Sequence, residues 1–288
     1  PTTLASLCGL LVACSSTQAP SQAAAVEAAI SARLRWPGLT NAIIQLAPFM
    51  AEELTHAQLA TVLQATALCS ASGLLAGTVL PVVQALLLPR VDEESASASS
   101  VLVARCAGLQ ALLQLHPQLD SDSQSEMQAC LEEAMLQLAP QCSRGPTQLV
   151  TLLCEASHAF SCVPPAEFVA AALSAASTCN GSEAAQLGKA LGRVLPFLSA
   201  TPGAQQQLQG LTQHLFKSKD RIAAAVELAN TLALHPRCDQ GMVAALADAA
   251  LSSGEDAVAA AVLKAVAAHG DPKACQALMP SIARDVSS

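Results

Sequence analysis

The chain has 288 residues, of which 52% are hydrophobic and only 2% are aromatic, with one Trp, no Tyr and five Phe. Lys and Arg number 14 against 22 Asp and Glu, which gives a net charge of −8. The apolar content excludes a wholly disordered chain, and the scarcity of β-branched and aromatic residues excludes a conventional β-sandwich or barrel. The composition therefore predicts an all-α protein whose helices pack through Ala, Leu and Val.

The N-terminal region contains two uncharged apolar tracts. Thr2–Cys14 lacks the basic flank of a signal peptide. Leu54–Pro89 is interrupted by polar residues and leaves no run of about 20 apolar residues, so we expect two buried core helices there and no membrane span. Because the chain begins with Pro1 instead of Met, we expect a processed or trimmed N-terminus, so that any targeting peptide would be lost from view.

Helix start and stop signals divide the first part of the chain into helices followed by a linker. Thr55 is the predicted cap of a helix from His56 to about Ser70, and a partner helix follows Gly73 and runs to Leu88. The predicted buried face of the first helix consists of Leu59, Val62, Leu63, Thr66 and Ala67. Charged residues and alternating Ser and Ala then indicate an exposed linker. The predicted organisation is N-terminal helical repeats in residues 1–90, a loop or linker in 91–100, and C-terminal repeats of the same array in 101–288.

Two further helix pairs are predicted beyond the linker. The first pair is Val101–His116 and Ser123–Leu138, each stopped by a proline, at Pro117 and Pro140. Pro146 and Pro165 open the helices of the next pair. Their buried faces are predicted to contain Leu149, Leu152, Leu153, Phe168, Ala171, Ala172 and Ala175.

Helix starts recur along the second half of the chain. Pro146, Ser182, Asp220 and Glu255 follow one another at intervals of 36, 38 and 35 residues. An interval of this size is typical of one helix–turn–helix unit per repeat. We therefore predict an α-solenoid of HEAT-like or octotricopeptide-like repeats with about 12 to 14 helices; an irregular single helical domain is the alternative. Three Ala triplets, at 23–25, 223–225 and 259–261, suit closely packed helix seams.

Two segments carry a family resemblance. Residues 54–67, LTHAQLATVLQATA, have the form Leu-Thr-x-x-x-Leu-x-x-x-Leu-x-Ala-x-Ala, and residues 145–156, GPTQLVTLLCEA, precede the helix opened by Pro165. Both resemble the first helix of units in organellar helical-repeat proteins, which include octotricopeptide-repeat proteins and the helical parts of FAST-kinase-like and RAP-domain proteins. The resemblance implies a mitochondrial or chloroplast protein of RNA processing, RNA editing or ribosome function. The basic RAP module and a regular nucleotide-reading register are missing.

Basic residues are few in the first part of the chain. Residues 1–181 contain five Lys or Arg and 13 Asp or Glu, and residues 182–288 contain nine of each. Direct RNA binding requires a basic stripe and stacking platforms, so this balance disfavours an autonomous RNA reader. The candidate RNA-binding residues are Lys189, Arg193, Lys217, Lys219 and Arg221. The alternative interpretation is that they are solvated charges near helix ends.

Cysteine and histidine offer one candidate chemical site. The 11 cysteines include no CxxC pair, and we predict that most are small buried residues in a reducing compartment. Cys154, His158 and Cys162 lie at i, i+4 and i+8, a spacing that could begin a zinc site or a Cys–His nucleophilic pair. We favour core packing, because a fourth ligand is not evident and residues 160–164 interrupt the helix. No catalytic or metal residue and no cofactor is therefore predicted.

The sequence as a whole predicts a non-catalytic scaffold, not an enzyme. Its expected setting is a mitochondrial ribonucleoprotein assembly, with chloroplast or cytoplasm as alternatives. The expected partners are other protein subunits of the assembly, with RNA contacted weakly or indirectly. The alternative function is a cytosolic HEAT-like or armadillo-like adaptor unrelated to RNA.

Overall fold

A computed structural model describes residues 51–69, 76–89, 98–142, 147–178, 181–198, 226–230 and 256–269, together with 244, 247–248, 250–252, 254 and 275–276. Across these ranges the ordered elements are helices and none is a strand. The predicted all-α class is therefore confirmed.

Eight helices have bounds within this part of the chain. They are α1 (His56–Cys69), α2 (Ala76–Leu87), α3 (Ala98–Leu115), α4 (Ser121–Cys142), α5 (Thr147–Ala159), α6 (Ala166–Thr178), α7 (Gly181–Leu198) and α8 (Asp256–His269). A single 3₁₀ turn, His116–Gln118, joins α3 to α4. The described residues form two compact units: residues up to Gln137 with Ala159–Ser161, and Leu138–His158 with the residues from Cys162 onward.

The first helix of the first unit begins with a reciprocal capping box. The backbone N–H of Gln58 donates to Thr55 Oγ1 at 3.4 Å, and the N–H of Thr55 donates to Gln58 Oε1 at 3.0 Å. The two side chains thus satisfy two backbone donors at the helix start. The N–H of Leu59 donates to the carbonyl of Thr55, which completes the first helical turn. The predicted cap at Thr55 is confirmed.

The core of the first unit lies between α1, α2 and α3. The five residues predicted for the inner face of α1 are all buried: Leu59, Val62, Leu63, Thr66 and Ala67. This helix packs against both α2 and α3, and more extensively against α3. The uncharged tract therefore contains two core helices, α1 and α2, as the sequence predicts.

Two residues of α3 fit closely against α2. Arg105 is only 1% exposed, and its Nε donates to the carbonyl of Leu86 at 3.2 Å. That carbonyl belongs to the last turn of α2, where intrahelical partners are lacking, so Arg105 caps the helix end. Gly108 lies one turn further along, and a Cβ at this position would overlap the Leu86 side chain. The absence of a side chain at Gly108 therefore permits the close approach of α3 to α2.

The fourth helix starts earlier and ends later than predicted. Asp120 caps it, because the N–H of Ser123 donates to Asp120 Oδ1 at 2.8 Å. Ser123, through its side chain and then through its backbone N–H, holds the pKa of the Asp120 carboxyl below its ordinary value. The predicted stop before Pro140 is wrong: the helix continues to Cys142. Pro140 lies in the last turn, so only one intrahelical hydrogen bond is lost, and the buried Cys142 side chain keeps that turn packed.

The second unit confirms the predicted faces of its first two helices. Leu149, Leu152 and Leu153 of α5 are buried, as are Phe168, Ala171, Ala172 and Ala175 of α6. The carbonyl of Pro165 accepts a hydrogen bond from the N–H of Val169, so Pro165 precedes α6 directly. The third helix of this unit, α7, starts next to Ser182 as predicted.

The end of α5 forms a Schellman turn. Ser161 has a φ of 56°, and the N–H of Cys162 donates to the carbonyl of Ser157 at 2.8 Å. The 6→1 hydrogen bond and the left-handed residue before its donor define this motif. Ser157 Oγ also donates to the carbonyl of Cys162, which closes the loop within the buried interior. The predicted interruption of the helix at residues 160–164 is confirmed.

Part of the predicted linker is helical. Residues 98–100 form the first turn of α3, whereas the prediction places them in the linker of residues 91–100. Ala and Ser can form a first helical turn, and the buried Val101 anchors it to the core. The remainder of the linker, the helix start at Asp220 and the triplets 23–25 and 223–225 lie outside the described residues. In the third triplet, Ala259 and Ala261 are buried and Ala260 is exposed.

Candidate binding surface

In the second unit, α5 and α7 lie side by side and run in the same direction. Thr147 Oγ1 donates to Glu183 Oε2 at 3.1 Å. Arg193 Nη1 lies 3.8 Å from Glu155 Oε1. The first pair joins the starts of the two helices, and the second joins residues eight and ten positions further along them. Because both positions advance together, the helices are parallel.

The residues around these two contacts form a polar surface that we call the α5–α7 seam. It consists of Thr147, Glu155, Glu183, Lys189 and Arg193. Lys189 is exposed one helical turn before Arg193, so both side chains lie on the same stripe of α7. The seam therefore presents two acidic and two basic groups on neighbouring helices.

The charge on Arg193 is partly offset within the seam. The Arg193 and Glu155 side chains are each 33% exposed, so solvent screens the pair and its contribution to stability is small. Arg193, one of the predicted RNA-binding residues, therefore lies beside a carboxylate, so it does not form an uninterrupted basic stripe with Lys189 one turn away. Lys217, Lys219 and Arg221 lie outside the described residues. RNA binding by all five candidate residues stays a prediction.

The candidate cysteine and histidine site separates into a helical part and a loop part. Cys154 and His158 belong to α5, whereas Cys162 follows the Schellman turn. Cys154 and Cys162 are both buried, as the core-packing interpretation expects. The i+8 spacing therefore does not continue along a single helix face.

Burial governs the ionisation of the cysteines. Desolvation raises the pKa of the Cys154 thiol, and the neighbouring Cys142 and Glu155 raise it further. In the first unit, desolvation and then Glu133 raise the pKa of Cys130 to about 12. Both groups are thus held as thiols at neutral pH, whereas a nucleophilic cysteine requires the thiolate.

No group of three or more His, Cys, Asp or Glu side chains in the described ranges is arranged to hold a metal ion. By length and composition alone, the segment Ala98–Gln118 could cross a membrane. Half of its most apolar stretch of 18 residues is buried inside the protein. Such a helix is also typical of a protein core, and it contains the buried Arg105.

One contact of the α5–α7 seam is predictable from the spacing of the helix starts, although its residue types alone do not reveal it. Thr147 and Glu183 are unremarkable polar residues, but they are separated by the same 36 residues as the predicted helix starts Pro146 and Ser182. Pairing residues at the repeat interval would have identified their contact. The partner of Arg193 could not be identified in this way, because Glu155 lies 38 residues before it.

Comparison with protein-family models, with curated proteins and with solved structures finds no match to this chain.

Proposed function

We propose that the chain is a non-catalytic α-solenoid that serves as a protein-binding scaffold in a mitochondrial ribonucleoprotein assembly for RNA processing, RNA editing or ribosome function. The observation that carries the proposal is the parallel pairing of α5 with α7. RNA contact in this proposal is weak or indirect.

The pairing supports a repeat architecture through its direction and its register. The first helices of two successive helix pairs, α5 and α7, contact each other at separations of 36 and 38 residues. In helical-repeat arrays, equivalent helices of neighbouring repeats stack in parallel at a separation of one repeat length. Each repeat thereby buries a face that it could not bury alone, and the array presents an extended surface to a partner.

The charges of the seam favour a protein partner over RNA. Glu155 lies beside Arg193, and Glu183 and Lys189 belong to the same seam. Protein partners commonly match such mixed charges with complementary charges of their own. Phosphates require several uncompensated basic groups, and the net charge of −8 repels them at long range. The organellar setting rests on the resemblance of residues 54–67 and 145–156 to organellar helical-repeat proteins.

The protein-binding part is tested by affinity capture from cells that express the tagged full chain. We compare the original chain with the double variant Lys189→Glu and Arg193→Glu, which leaves the seam with acidic groups only. The matched control is Lys264→Glu, because Lys264 is an exposed lysine of α8. The proposal expects a set of mitochondrial RNA-processing or ribosomal proteins that is depleted by the seam variant and retained by the control.

Two outcomes would contradict the proposal. Capture of trafficking or signalling proteins would favour the cytosolic adaptor. Equal capture by the original chain and the seam variant would show that partners bind elsewhere and would contradict the seam as the binding surface.

The RNA part is tested by filter binding of organellar transcripts to the purified chain. Lys189, Arg193, Lys217, Lys219 and Arg221 are replaced by Gln in one variant. We expect weak binding for both proteins. Tight, salt-sensitive binding that is lost in the variant would overturn the preference for protein partners, because each neutralised phosphate contact reduces the salt dependence.

A further inference from the structure

We draw no further inference here: the strongest candidate, the outer face of α4 on which Asp122, Glu126 and Glu133 lie with the exposed Leu136, is a cluster of acidic residues, and nothing in the structure shows what covers it.

Discussion

Thr147 Oγ1 donates a hydrogen bond to Glu183 Oε2 at 3.1 Å, across a separation of 36 residues. Arg193 and Glu155 form an ion pair between the same two helices at a separation of 38 residues. Polar contacts at a solvated surface contribute only about 0–1 kcal/mol each, so they indicate the register of α5 and α7 more than they maintain it. Both helices also bury leucines, such as Leu153 and Leu187, and burying one such side chain contributes about 1.5–3 kcal/mol.

Thr55→Ala is expected to destabilise the first unit. The substitution removes the acceptor for the N–H of Gln58 and breaks the capping box of α1. The expected loss is about 1 kcal/mol in the free energy of unfolding, measured by urea denaturation. Thr61→Ala is the matched control, because the Thr61 hydroxyl only bonds back to the carbonyl of Ala57 and Ala is the better helix former. Equal losses for the two variants would contradict the capping role.

Gly108→Ala is expected to destabilise the protein even though alanine favours helices. The new Cβ would overlap Leu86, which is fully buried. Overpacking costs about 1–3 kcal/mol and exceeds the gain of about 1 kcal/mol in helix propensity. Combining the change with Leu86→Ala should cost less than the sum of the two single changes, because shortening the Leu86 side chain removes its overlap with the new Cβ. Strict additivity in urea denaturation would show that the two residues do not touch.

Ser161→Gly is expected to stabilise the end of α5. Ser161 occupies the left-handed region at a φ of 56°, which costs a residue with a side chain about 1–2 kcal/mol. Part of that gain is offset by the greater freedom of glycine in the unfolded chain, so we expect about 0.5–1 kcal/mol. Ser174→Gly within α6 is the control and should have the opposite sign. A loss of stability for Ser161→Gly would contradict the turn geometry.

Cys154 is expected to react slowly with iodoacetamide at pH 8. Burial raises its pKa, so the thiolate that reacts is scarce, and the sulfur is shielded as well. Mapping of the labelled peptides should show half-exposed Cys275 modified before Cys154. A Cys154 that reacts faster than a simple exposed thiol would support the Cys–His nucleophile and contradict the non-catalytic proposal.

The raised pKa of Cys130 also predicts a pH dependence of stability. The native state keeps the Cys130 proton up to about pH 12, whereas the unfolded chain releases it near the ordinary value of 9.0. The unfolded state therefore binds fewer protons between these values, and the contribution of this group to the free energy of unfolding decreases as the pH rises through that range. Cys130→Ala should reduce this alkaline dependence in urea denaturation, and an unchanged slope would contradict the assignment.

Local signals in the sequence predict much of the helical structure. Spacing and residue type alone predict the cap at Thr55, the face containing Leu59 and Leu63, and the break at residues 160–164. Pro140 misleads because a proline in a last helical turn costs only one hydrogen bond, which local rules cannot weigh against the burial of Cys142. The partner of Arg105 is unpredictable for another reason: the carbonyl of Leu86 becomes its acceptor only through tertiary packing.

The candidate surface is predictable only in part. The 36-residue interval predicts which helices are equivalent, and Lys189 and Arg193 are recognised as neighbours from their i, i+4 spacing. The carboxylate of Glu155 beside Arg193 depends on the rotation of two packed helices, which residue types do not determine. The two described candidates for RNA binding, Lys189 and Arg193, therefore belong to a seam of mixed charge.

The register of α5 and α7 is tested most directly by chemical cross-linking of paired cysteines with a short bismaleimide. Thr147→Cys with Glu183→Cys should cross-link within one chain, as identified by mass spectrometry of the joined peptides. Thr147→Cys with Arg193→Cys should not, because residue 193 lies about 15 Å further along α7. Cross-linking of the second pair in preference to the first would contradict the parallel stacking on which the scaffold proposal rests.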